Sequence, residues 1–473
     1  MPYRIDIGLE VHLQLRTETK VFCSCPVKFG ALPNTQTCPV CLGFPGSLPV
    51  LNEKALEYAV KVALALNCTI ENKIKFDRKN YYYADLPKNF QISQFDMPIG
   101  REGRIDIVMP EGRKKIRIKR VHLEEDAGKL IHKGAYSLID YNRAGTPLLE
   151  IVSEPDMASP QEAYEYLLIL KSILAYLDVS DCNMEEGSLR CDANISLRPE
   201  GCDSLGTKNE IKNMNTFKGV KSALEYEVTR QSVALKEGSK IVQMTRLWDA
   251  DKRITTAMRS KEESHDYRYF PEPDLVPFTI AGTFVERVRE SLPELPEIRR
   301  MRFIKDFGLS TYEAELLSRE RRTADFFEET QGLCRSPKAV ANWIMGDISR
   351  ILNERHMELS ETKLAAVNLS DMIKLIENGT ISSKIAKSLI EEMMESGEAP
   401  GEIISKKGLT QISDESALEG IIDRVIKENQ KSVTDYKNGK KNALGYMVGQ
   451  VMKATAGKAN PKLVNELLHS KLS

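Results

Sequence analysis

Between Ile7 and Leu15 the odd positions are apolar (Ile7, Leu9, Val11, Leu13, Leu15), and Gly8, Glu10, His12 and Gln14 fall between them. This period of two predicts a strand with one face in a core and one polar face. The same phase returns at Leu189, Cys191, Ala193, Ile195 and Leu197, with Arg190, Asp192, Asn194, Ser196 and Arg198 opposite. Two strands with similar polar faces are expected.

A period near 3.6 appears elsewhere. Asn52 is placed to cap a helix carrying Ala55, Leu56, Ala59, Val60, Ala63 and Leu64 on one side, and Ser159, Pro160 and Glu162 read as a capping box before Ala163, Leu167, Leu170, Ile173, Leu174 and Leu177. Strands and helices do not alternate steadily, so a doubly wound parallel sheet is disfavoured. The expected fold class is α+β, a mostly antiparallel sheet with helices over its apolar face. After Pro293 and Pro296 the pattern turns helical, through Glu297–Phe307, Thr311–Ser318, Ala324–Thr330 and Ala339–Arg355, and again around Ser416–Glu428 and Val433–Tyr436. Domains over 1–293, 294–405 and 406–473 follow, the last two helical.

The chain has 473 residues, 41% of them hydrophobic, with 67 Lys and Arg against 68 Asp and Glu. That length calls for more than one core, and that hydrophobic content excludes disorder as the main state. No apolar run approaches the roughly 20 residues that cross a bilayer, and the N-terminus lacks a signal pattern, which predicts a cytoplasmic protein. A balanced charge argues against a bulk basic nucleic-acid binder. From Gln430 onward, however, eight lysines stand against two acidic residues, so a basic patch is concealed in the total.

Three groups of residues carry candidate chemistry. Cys23, Cys25, Cys38 and Cys41 form two close thiol pairs, the spacing of a closed tetrahedral zinc site with a structural role. Cys68, Cys182, Cys191, Cys202 and Cys334 have no such pairing and read as ordinary residues. Glu10, His12, Glu124, Glu125, Asp126 and Glu150 supply carboxylates and an imidazole of the kind that hold Mg²⁺ beside nucleotide phosphates, although scattered acids of this sort also occur on solvated sheet faces. Lys79-Asn80-Tyr81-Tyr82-Tyr83 and the stretch Asp266 to Asp274 pair aromatics with charge and could stack on bases, or simply pack in strands. There is no P-loop, no kinase-type glycine loop, no G-x-G-x-x-G and no G-x-S-x-G.

The run Leu138-Ile139-Asp140-Tyr141-Asn142-Arg143-Ala144-Gly145-Thr146-Pro147-Leu148-Leu149-Glu150-Ile151 resembles the hallmark segment of the GatB/GatE family of tRNA-dependent amidotransferases. Ile7 to His12, His122 to Gly128, Gly187 to Asn194 and Asp266 to Pro271 support the resemblance in order, and Asp435 to Lys440 with Asn460-Pro461 is similar to the family's tail. The resemblance implies a cradle-shaped β domain with a kinase-like site, a helical domain and a small tail that contacts tRNA. It implies ATP- and Mg²⁺-dependent phosphorylation of the side-chain carboxylate of Glu-tRNA(Gln), and of Asp-tRNA(Asn). Ammonia delivered through a channel from the amidase GatA, in a heterotrimer with GatC, then gives Gln-tRNA(Gln) and Asn-tRNA(Asn).

By the same resemblance Glu10, His12, Glu125 and Glu150 are the expected catalytic and metal-binding residues, with Glu124 an adjacent metal candidate. Lys79, Arg190 and Arg268 are candidates for countering phosphate charge. The cysteines imply a zinc-bearing variant. Two other readings compete: a non-catalytic zinc-containing RNA-binding scaffold, and a stand-alone metallohydrolase acting on a phosphate ester.

Overall fold

In the computed structural model the first alternating segment forms the strand Tyr3–Gln14. The structure describes residues 3–258, 267–409, 415–437, 440, 442–455, 459 and 461–472. The motif positions Asp266, Asn438, Gly439 and Asn460, and the tail lysines Lys441 and Lys458, lie outside them.

Tyr3–Gln14 is the middle strand of a nine-stranded sheet. Its order is Ile254–Ala257, Met244–Asp249, Asn209–Met214, Leu189–Pro199, Tyr3–Gln14, Pro147–Ser153, Gly112–Glu125, Gly100–Met109, Thr69–Ile70. Among the described residues every pairing in this sheet is antiparallel except that of Asn209–Met214 with Met244–Asp249. The expected α+β class with a mostly antiparallel sheet is the class observed.

The alternation sorts the two faces as the pattern requires. Ile7, Leu9, Val11 and Leu13 are buried together with Leu189, Cys191, Ala193, Ile195 and Leu197 in one cluster. Helices Glu53–Ala65, Pro160–Leu177 and Phe217–Lys236 add Ala59, Val60, Ala63, Leu167, Leu170, Val220 and Leu224 to it. Each fully buried aliphatic side chain contributes about 1.5–3 kcal/mol, which holds the helices to this face. Asn52 Oδ1 accepts from Lys54 N at 2.9 Å and Ala55 N at 3.2 Å, so the first helix starts where its cap residue stands. Ser159 Oγ likewise accepts from Glu162 N at 3.2 Å, but Glu162 reaches back to Ala158 N at 2.6 Å and not to the cap residue itself.

A three-stranded sheet of Phe270–Pro271, Asp77–Asn80 and Phe90–Ser93 stands beside the large one. It is clamped across 194 positions of sequence by Arg78, whose guanidinium donates to both oxygens of Glu272 at 2.7 and 2.9 Å. Ser93 Oγ donates to Glu124 at 2.9 Å and ties it to the polar face of the large sheet.

The chain divides into two compact units, Met1–Leu295 and Pro296–Ser473. The second is helical in its described residues and holds two separate apolar clusters. One contains Phe303, Phe327, Ile348, Leu369 and Ile390, the other Leu418, Ile422, Met447, Val464 and Leu468. The long pattern over 339–355 resolves into Pro337–Trp343 and Ser349–Arg355, joined by a π-helical turn at Ile344–Ile348. No helix among the described residues is long and apolar enough to cross a membrane.

Candidate functional site

The polar face of the large sheet is built by register. His12 is the cross-strand partner of Arg190 on one side and of Glu150 on the other, and Glu150 is the partner of His122. Directly paired residues of antiparallel strands point the same way. Arg190, His12, Glu150 and His122 therefore form one row across four strands. Glu124 follows His122 by two positions and joins the same face.

The distances are short. His12 Nε2 is 3.5 Å from Glu150 and 3.9 Å from Glu124, while His122 Nε2 is 3.2 Å from Glu150 and 3.6 Å from Glu124. One ligand atom from each of His12, Glu124 and Glu150 lies within 4.8 Å of the others. An imidazole and two carboxylate oxygens so close together fit a divalent cation.

Without a cation, the buried carboxylates are balanced by neighbouring imidazole protons and the Lys79 ammonium. Burial disfavours charge on both imidazoles, but the hydrogen bond and charge of Glu150 outweigh it at His12, and Glu150 with Glu124 push His122 up to about 9. Burial also opposes ionisation of the carboxylates. The His122 hydrogen bond and the Lys79 charge nonetheless lower Glu124, and the charge of His122 with the His12 hydrogen bond holds Glu150 well below the usual range. The cluster thus keeps anionic oxygens in a buried place by surrounding them with cations. Burial lowers the Lys79 ammonium, yet Glu124 raises it on balance, with smaller help from Tyr269, Tyr81 and Glu150.

The remaining sequence candidates are distributed as follows. Arg190 borders His12 and donates to Asp126 at 2.9 Å, and Asp126 also accepts from Gln14 Nε2 at 2.7 Å. Asp126 is thereby the group that positions Arg190. Glu10 stands outside the three-residue group and accepts from Asn194 Nδ2 at 3.0 Å.

Glu125 turns to the opposite face, since neighbours on a strand point apart. There it meets Lys88 Nζ at 2.6 Å and accepts from Ile92 N at 2.9 Å. Of the two neighbouring carboxylates expected at the site, Glu124 lies with His12 and Glu150 and Glu125 does not. Arg268 is exposed, with a positive backbone φ of 43°, its carbonyl accepting from Asn80 Nδ2 at 2.8 Å. His122 was absent from the expected set. Its signal was available, because Val121 and Leu123 mark the core face and leave His122 and Glu124 together on the other.

The four cysteines converge. One Sγ from each of Cys23, Cys25, Cys38 and Cys41 lies within 4.8 Å of the others. The Cys23 hydrogen bond holds Cys41 down at about 4 against burial, helped by Cys38 N–H and the fully buried Lys20, whose Nζ is 3.5 Å from Cys41 Sγ. A thiolate among closely set thiols fits a tetrahedral zinc site. The loop between the pairs is bound to the hallmark segment: Asn34 N donates to Asp140 Oδ1 at 3.0 Å, Tyr141 N to Asn34 Oδ1 at 2.8 Å and Gln36 N to Asn142 Oδ1 at 2.8 Å.

Comparison with known proteins gives a consistent answer. The profile of the GatB/GatE catalytic domain matches residues 5–286, and that of a GatB domain matches residues 325–472. The B subunit of the aspartyl/glutamyl-tRNA(Asn/Gln) amidotransferase of Thermoanaerobacter pseudethanolicus is 57% identical over 474 residues, covering 100% of both chains. Its counterparts of the same name from Carboxydothermus hydrogenoformans and Brevibacillus brevis are each 54% identical, over 100% of this chain and 99% of theirs.

Proposed function

The chain belongs to the GatB/GatE family, and from that membership we propose that its polar sheet face activates the side-chain carboxylate of misacylated tRNA for amidation. As a GatB-type amidotransferase component it is part of a ligase complex that forms carbon–nitrogen bonds. The observation that carries the proposal is the convergence of His12, Glu124 and Glu150 on one buried face, with Lys79 and Arg190 at its margin.

A carboxylate does not accept ammonia, because oxide is too poor a leaving group. In the proposed reaction an oxygen of the substrate carboxylate attacks the γ-phosphorus of ATP and the bond to ADP breaks. The nitrogen lone pair then attacks the acyl carbon, phosphate leaves and the nitrogen loses a proton. Glu-tRNA(Gln) becomes Gln-tRNA(Gln), and Asp-tRNA(Asn) becomes Asn-tRNA(Asn).

Little of this is covalent work for the protein; positioning and charge compensation are its tasks. His12, Glu124 and Glu150 would hold Mg²⁺, which when bound neutralises charge between nucleotide phosphates. Lys79 and Arg190 are placed to counter charge on the phosphoryl oxygens, and Asp126 orients Arg190. In the proposed assembly ammonia comes from a partner amidase, GatA, with GatC completing the heterotrimer, in keeping with the lack of a G-x-S-x-G elbow in this chain. The relatives are each named as one subunit of a larger amidotransferase, which supports that assembly. The four converging cysteines would hold a structural zinc, and the lysine-rich tail contacts tRNA.

The test replaces glutamine by ammonium chloride. The assembled complex then converts Glu-tRNA(Gln) to Gln-tRNA(Gln) with ATP, and Glu150→Gln stops it. Undiminished conversion by that variant would overturn the proposal.

A further inference from the structure

Two aromatic stretches separated by about 190 positions of sequence meet beside the carboxylates. Asn80 N donates to Tyr267 O at 2.8 Å and Asn80 Nδ2 to Arg268 O at 2.8 Å, which joins them edge to edge. Tyr81 and Tyr267 then lie 5.6 Å apart, Tyr267 and Tyr269 6.1 Å, and Phe95 stacks on Tyr269 at 4.3 Å with 14° between the rings.

Phe95 is 54% exposed and Tyr267 37% exposed, while Tyr81 and Tyr269 are half-buried behind them. The shelf has a cation within it, since Lys79 Nζ is 5.1 Å from the Tyr267 ring centre and 5.7 Å from that of Tyr81. It also adjoins the acidic cluster. The Lys79 and Tyr269 side chains both interact electrostatically with Glu124 and Glu150, and the strand Phe90–Ser93 bonds to Glu124 through Ser93.

From this arrangement we infer that the shelf of Phe95, Tyr267 and Tyr269 beside Lys79 stacks the unpaired 3′-terminal bases of the misacylated tRNA. The inference rests on the function proposed above and specifies where the substrate's end is held. The amino acid is esterified to the last ribose of an unpaired strand, so a side-chain carboxylate at Glu124 and Glu150 brings the terminal base within reach of the adjoining surface. Unpaired bases are taken up by stacking on aromatic faces, and a lysine within the platform suits the phosphates between them. The adenine of ATP has the same stacking chemistry, and the experiment separates the two.

In the assembled complex Phe95→Ala and Tyr267→Ala raise KM for Glu-tRNA(Gln) about 5- to 150-fold, the range for loss of one base stack, while KM for ATP stays put and Phe95→Trp restores it. Binding is read with two uncharged tRNA(Gln) probes, one complete and one lacking its terminal adenosine. The unaltered complex binds the shortened probe more weakly, and Phe95→Ala binds both alike. Variants that raise KM for ATP and still distinguish the probes would place the nucleotide on the shelf and overturn the inference, as would variants that move neither quantity. Absence of Glu-tRNA(Gln)-dependent ATP cleavage in the unaltered complex would instead sink the functional reading itself.

Discussion

His12 Nε2 lies 3.5 Å from Glu150, and the two residues are direct partners in the antiparallel pairing of Tyr3–Gln14 with Pro147–Ser153. The ladder that builds the core thus also sets the spacing of the polar site. A one-residue slip would send every one of these side chains to the other face.

The first prediction separates Glu124 from Glu125. Mn²⁺ is a paramagnetic probe for the cation site, and its affinity is expected to fall about 100-fold or more in Glu124→Gln and Glu150→Gln. In Glu125→Gln the affinity should hold within about twofold, with a lower unfolding temperature, because the buried Lys88 ammonium loses its anionic partner. Electron paramagnetic resonance titration and thermal unfolding give the two readouts. Equal loss of affinity in all three variants would place Glu125 in the site after all.

Much of this geometry could be read from residues, and the part that could not has physical causes. Alternation alone put His12 beside Glu10 on a polar face and Ile7 to Leu13 in a core. Resemblance favours Glu125, whereas the parity of Val121 and Leu123 puts Glu124 on the polar face. Arg268 could not be placed, since it lies outside any strand, at a positive φ that alternation does not foresee. Nor could one sequence reveal that Tyr81 meets Tyr267, because the two stretches are far apart in sequence and are joined by Asn80 donating to Tyr267 O and Arg268 O.

Removing zinc tests the cysteine site. Cys41→Ser, or treatment with a strong chelator, should abolish stoichiometric zinc in elemental analysis and lower the unfolding temperature by about 5 °C or more. The loop that the thiols fold back donates to Asp140 and Asn142 of the hallmark segment, so the loss is expected to reach that segment. Full thermal stability in zinc-free protein would show that the thiols hold the loop unaided.

The helical unit carries a pH-dependent cap. Glu313 accepts from Lys338 at 2.6 Å and from Ser310 N at 2.6 Å, and these bonds hold its carboxyl at about 2 against an ordinary 4.5. A depressed carboxylate stabilises the fold above its unfolded pKa, and the contribution is lost as pH falls from 4.5 through about 2. Glu313→Gln should therefore be less stable than the unaltered chain in urea at pH 7, with the gap narrowing at pH 3. A gap of constant size would mean that the cap does not depend on charge.

The central claim is that this polar face phosphorylates a carboxylate carried by tRNA. It is tested most directly by ATP cleavage in the assembled complex with Glu-tRNA(Gln), with uncharged tRNA(Gln) and without tRNA. The expected result is ADP formation only with the charged tRNA, and its loss in Glu150→Gln. ADP formation that needs no charged tRNA, or that survives in Glu150→Gln, would contradict the claim.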